Sequence, residues 1–146
     1  MWLQKAHARI LEHSATTVRG IHDGYMRLRP PVTHERAVTL AEDGRSYIVT
    51  DTVSGQGTHS LEQFFHCDPR CAVRQEGGRI LVDREGARIA IEPDRRVVRT
   101  GLLTGSETPM GGWFSPGYDR KVPATTIVCD TVADGSTTLV TTIHLL

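Results

Sequence analysis

Turn signals built on glycine interrupt this chain every eight to twelve residues, which leaves no room for long helices. They are Asp23-Gly24, Asp43-Gly44, Ser54-Gly55-Gln56-Gly57, Gly77-Gly78, Glu85-Gly86, Gly105, Gly111-Gly112 and Asp134-Gly135. Asp-Gly is a strong hairpin signal, because the central residues of a type I′ turn need positive φ. Between the turns, apolar and polar residues alternate over Thr16–His22, Thr33–Ala41, Arg45–Val53, His59–Cys67 and Cys71–Gln75. The pattern continues over Arg79–Asp83, Ala87–Glu92, Arg96–Leu103, Ala124–Thr131 and Thr137–Leu145. The chain holds 17 Thr, 13 Val and 8 Ile, residues whose branched Cβ suits a pleated strand. Only Trp2–Leu11 offers an alternative, either a short helix or a frayed opening strand. The expected fold class is all-β, an antiparallel β-sandwich of about ten short strands. At 146 residues, without repeat or linker, residues 1–146 are expected to form a single domain.

The central hairpin can be worked out in register. If Asp43-Gly44 is a two-residue turn, facing residues have numbers that sum to 87, so Val38 faces Val49, Arg36 faces Asp51 and His34 faces Val53. One face then carries His34, Arg36, Val38 and Leu40 opposite Tyr47, Val49, Asp51 and Val53. Apolar at the turn end and ionisable at the far end, that face is expected to be the buried one. Burying a charge alone is expensive, so His34, Arg36 and Asp51 should pair at the edge of the core.

That cluster has two readings. His34 and Asp51 could ligate a divalent metal (zinc or calcium), with His66 as a third ligand. In the structural reading, which carries more weight, Arg36 and Asp51 form a cross-strand ion pair with His34 bonded nearby. The metal triad also meets a geometric obstacle. In a plain hairpin around Ser54–Gly57, His66 would lie roughly 17 Å from Asp51 at ~3.4 Å per residue, unless a bulge, a twist or a change of sheet intervenes.

Other chemistry is poorly represented. Cys67 and Cys71 lack a second zinc knuckle, and Cys129 in its apolar strand reads as a buried free thiol. Nucleophile elbow, phosphate loop and H-E-x-x-H helix are all missing. With 17 basic against 17 acidic residues, nucleic acid is not an expected partner, and no apolar run approaches a membrane span. Trp113, Phe114 and Tyr118, within Gly111–Tyr118, could stack on sugar rings or plug the end of the fold.

The order of several short stretches resembles the C-terminal β-rich region of heparinase II/III-like polysaccharide lyases. These are His22-Asp23-Gly24-Tyr25, then Val32–Val38 with its His34-x-Arg36, then Tyr47–Gly55 with Asp51. His59–His66 and Gly112–Ala124, with Trp113, Ser115-Pro116, Tyr118, Lys121 and Pro123-Ala124, complete the series. The resemblance implies a portion of a larger enzyme in which an α/α toroid joins a β-sandwich. Such enzymes cleave uronic-acid polysaccharides by β-elimination in the cleft between the two parts. It also implies that His34, Asp51 and His66 stand where family members place polar residues, some of them metal ligands in one branch, and that Arg36 could face a substrate carboxylate. The neighbours of His34 are Thr33 and Glu35, where many members carry a further His, so the catalytic residues stay unassigned.

The expected function is therefore an accessory domain, not catalytic alone, that lines the substrate groove through Arg36, Trp113 and Tyr118. Its expected partners are an acidic polysaccharide and the toroid or another chain, with a homo-oligomer as a further option. The rivals are a free-standing carbohydrate-binding module and a structural or oligomerisation module. The compartment is not fixed by the sequence; many family members are periplasmic or extracellular.

Overall fold

A computed structural model describes residues 5–146. Among these, every regular element is a strand. In chain order they are β1 (Ala8–His13), β2 (Thr17–His22), β3 (Val32–Leu40), β4 (Ser46–Gly55) and β5 (Thr58–His66). There follow β6 (Ala72–Glu76), β7 (Arg79–Arg84), β8 (Ala87–Glu92), β9 (Arg99–Thr104), β10 (Ser106–Glu107) and β11 (Met110–Gly111). The last are β12 (Trp113–Gly117), β13 (Arg120–Pro123), β14 (Thr125–Asp134) and β15 (Thr137–Leu145). The class is all-β with antiparallel pairing, as expected for a β-sandwich. Of the ambiguous N-terminal segment, Ala8–Leu11 is strand, while Trp2–Gln4 lies outside the described residues.

The chain groups into two compact units, Met1–His59 with Ala133–Leu145, and Ser60–Val132 with Leu146. In the first, β1, β2, β3, β4 and β15 hydrogen-bond in that order, each pair antiparallel. The β3–β4 register is the expected one, with Val38 opposite Val49, Arg36 opposite Asp51 and His34 opposite Val53. The turn is longer than two residues. Ala41 N–H donates to Ser46 O, and the Asp43 carboxylate accepts the amides of Arg45 and Ser46, so 42–45 form the loop. A four-residue loop centred on the same point preserves the sum of 87, and so the register survived the error.

Burial across this sheet is graded. On the face shared by Arg36 and Asp51, Val49, Val53, Leu139 and Thr141 on β4 and β15 are buried. Val38 on β3, Val18 on β2 and Ile10 on β1 are exposed, Ile10 at 66%. The polar cluster lies where burial gives way to exposure.

In the second unit, β6, β7 and β8 form an antiparallel meander, and β14 pairs with β9 and β5. Consecutive buried residues, Ile80-Leu81-Val82 in β7 and Ile127-Val128-Cys129 in β14, give these strands unbroken apolar runs, the mark of a strand covered on both faces. β5 therefore does not form a hairpin with β4; it belongs to a different sheet. The glycine-rich segment 106–123, without a predicted strand, contains two small hairpins, β10–β11 and β12–β13. Gly112 anchors them. Its φ is +73°, and a Cβ there would lie 2.2 Å from Leu103 O and 2.7 Å from Ala124 O. Its carbonyl accepts the amides of both Gly105 and Ala124.

Candidate functional site

The cross-strand position of Arg36 and Asp51 dictates the centre of the site. Arg36 Nε donates to Asp51 Oδ1 at 2.7 Å and Nη2 to Oδ2 at 2.9 Å, a two-pronged fork on a buried carboxylate. His34 Nε2 lies 2.6 Å from the same Oδ1. The Asp51 side chain is 3% exposed and that of Arg36 is 40% exposed, so the fork reaches from solvent into the core.

The structure adds a partner that the sequence reading did not place. His22 lies directly across β2–β3 from His34, and its Nε2 is 3.1 Å from His34 Nδ1. Gly24 N–H donates to His22 Nδ1 at 3.2 Å, which folds the chain after β2 back on itself. Gly24 matters here for closeness, not for φ: a Cβ would stand 3.1 Å from His22 Nδ1 and 3.2 Å from Ala6 Cβ, so those neighbours would have to give by a few tenths of an ångström. The Tyr25 ring packs edge-on to His22, with centroids 5.1 Å apart, and lies 6.5 Å from His34. Burial, reinforced by His34, lowers the pKa of His22, and Asp23 opposes the shift. Beside this row, an open concavity of about 470 Å³ is lined by His22, His34, Arg36, Ile10, Val18 and Val38.

A divalent cation does not fit this arrangement. Both Asp51 oxygens are already taken by Arg36, and a guanidinium 2.7 Å from Oδ1 repels a second cation. His66 belongs to the other unit, where its Nδ1 is 3.0 Å from Thr126 Oγ1 and its ring stacks on Phe64. Among the described residues, no three His, Cys, Asp or Glu side chains are grouped to hold a metal. The cysteines are free. Burial, with Cys71 adding, pushes the Cys67 thiol up to about 11, and burial also raises Cys129, so neither readily yields a thiolate.

The aromatic residues 113–118 part company. Trp113 is tied in, with its indole N–H donating to Ser106 O at 3.0 Å and Lys121 Nζ sitting 4.0 Å over its ring. Lys121 is held in turn by Glu107 at 2.8 Å. Tyr118, at the tip of β12–β13, is fully exposed, and Phe114 is partly exposed.

Comparison with known proteins gives this geometry a family. The model of the heparinase II/III-like C-terminal domain matches residues 1–142. Nothing among the curated protein sequences matches. Among solved structures, the chain resembles the heparan sulfate lyase HepC from Pedobacter heparinus in mutant form, with a TM-score of 0.67 and 17% identity over 99% of this chain and 22% of that one. It resembles a heparinase III, with a TM-score of 0.67 and 12% identity, over 95% of this chain and 21% of that one. It also resembles a putative aldose 1-epimerase from Escherichia coli K12, with a TM-score of 0.55 and 12% identity, over 99% of this chain and 69% of that one. The chain thus spans about a fifth of the length of these lyases. A match from residue 1 to residue 142, on a chain whose strands follow the same fold, makes this protein a member of the heparinase II/III-like family, corresponding to its C-terminal domain.

Proposed function

We propose that this chain is an accessory domain of a heparinase II/III-like lyase that acts by β-elimination on uronic-acid polysaccharides. In this reading it walls one side of the substrate groove and leaves the proton transfers to groups on a toroid domain. The observation that carries it is Arg36. Its Nε and Nη2 are committed to Asp51, yet the side chain is 40% exposed at the rim of the concavity. A guanidinium locked on two of its nitrogens presents the third in a fixed direction, and a uronate carboxylate is a ligand that such a group suits. β-Elimination also needs a base for the C5 proton and an acid for the leaving oxygen. The ionisable groups beside Arg36 are bonded to one another, which favours a wall over a catalyst.

The test is to incubate the 146-residue chain with uronic-acid polysaccharides and follow both binding and the ultraviolet absorbance of the unsaturated product. Binding that weakens as salt rises, with no product, is expected. Sustained turnover by this chain alone would overturn the accessory role.

A second reading rests on Tyr118. A fully exposed aromatic ring at a hairpin tip, with Phe114 also accessible, suits a free-standing carbohydrate-binding module that stacks on sugar faces. Loss of glycan binding in Tyr118→Ala, with Arg36→Gln unaffected, would favour it.

A further inference from the structure

The four imidazole nitrogens of His22 and His34 have partners that leave each only one role. The Asp51 carboxylate, forked by Arg36, can only accept, so the proton of His34 sits on Nε2. At the other end, the Gly24 amide can only donate, so His22 Nδ1 must be bare. The bond between the rings then has one solution. His22 Nε2–H donates to His34 Nδ1 across 3.1 Å. Every donor points the same way, from the Gly24 amide through two rings to Asp51.

We infer that this one-directional row of hydrogen bonds is a metal-free strut that stands in place of a divalent cation, with His22 as the positioning residue that fixes the Tyr25 turn to β3 and β4. A cation at this cluster would need a lone pair from an imidazole nitrogen. Both bare nitrogens, His22 Nδ1 and His34 Nδ1, are already receiving protons, and both other nitrogens carry them. The carboxylate it would share already holds a guanidinium. The work a structural metal does, tying distant segments together, is done by the strut. It joins residue 24 to residue 51 through β2, β3 and β4, and seats the Tyr25 ring against both imidazoles. The concavity thereby gains a wall of set shape without an ion.

This inference does not depend on the polysaccharide reading, and its test uses no polysaccharide. The 146-residue chain, labelled with ¹⁵N and dialysed against a chelator, is examined at neutral pH by long-range proton–nitrogen correlation of its imidazole rings. His22 and His34 are expected in the Nε2–H form, with neither ring's signals shifting when one equivalent of zinc or calcium chloride is added. The Tyr25 ring signals should also hold still, and the thermal midpoint should be the same with chelator as with metal. A Nδ1–H form at either ring would overturn the proposal. So would displacement of the His34 signals by stoichiometric metal, or a midpoint that falls on chelation.

Discussion

Arg36 with Asp51 and Arg88 with Asp83 are the same pair of residue types in the same relation, directly opposite on neighbouring antiparallel strands. Their surroundings differ. The Asp51 side chain is 3% exposed, whereas that of Asp83 is 26% exposed and takes hydrogen bonds from both Arg74 and Arg88. In the first unit, breaking the pair takes a two-pronged donor from a carboxylate that water barely reaches. In the second, water and a spare arginine stand ready to replace what is lost. Equal chemistry therefore carries unequal weight, and burial decides which pair shapes the fold.

The largest effect expected is for Arg36→Leu, which leaves the Asp51 carboxylate buried with His34 as its remaining partner from the cluster. Urea denaturation should show a loss of about 3–5 kcal/mol. Arg88→Leu should barely move the midpoint, and equal losses would break the comparison. Next comes Arg36→Lys, which keeps the charge but forfeits the fork. It should cost roughly 1.5–3 kcal/mol, the worth of a hydrogen bond to a charged group. A loss as large as that of the leucine variant would show that geometry alone decides. Smaller still is the response to salt. At about 1 M, where the Debye length is ~3 Å, any difference between Arg88→Leu and the parent should vanish while that of Arg36→Leu persists. The smallest concerns Asp68, on the exposed side of the contrast. Hydrogen bonds from the Arg70 side chain, then from its amide, hold this carboxyl at about 2. A depressed carboxylate adds stability that is present above its unfolded value near 3.8 and is lost as pH falls toward 2. Arg70→Gln should flatten that part of the acid-unfolding curve and leave the neutral region alone.

Much of the hairpin could be read in advance because one turn signal and a period of two leave few registers open. Placing Arg36 opposite Asp51 needed only Asp43-Gly44 and the demand that a buried charge be paired. His22 escaped for the opposite reason. Nine residues separate β2 from β3, and a connection of that length does not set a register, so nothing local placed His22 opposite His34. Asp23-Gly24 does mark a turn, closed by the Met26 amide donating to Asp23 O at 2.9 Å, but Gly24 does not adopt the positive φ of a tight hairpin and sits close against an imidazole instead. His66 entered the metal triad on spacing alone. Sequence spacing cannot tell that β5 leaves β4 for β14, and the guanidinium on Asp51 takes the place a cation would want. β10–β13 were invisible because two-residue strands and a hairpin containing Ser115-Pro116-Gly117 carry too little alternation to stand out.

The crowding around Gly112 marks where this domain can change and where it cannot. With no space for even a methyl group beside Leu103 O, and with its carbonyl spoken for twice, the root of the aromatic hairpin is closed to variation. The tip is open, since Tyr118 touches mainly water and a Cβ at Gly117 would meet nothing within 4 Å. A library meant to retarget this loop should hold its stem constant and spend its diversity on residues 117–119, where new ligands can be tried without disturbing the scaffold beneath.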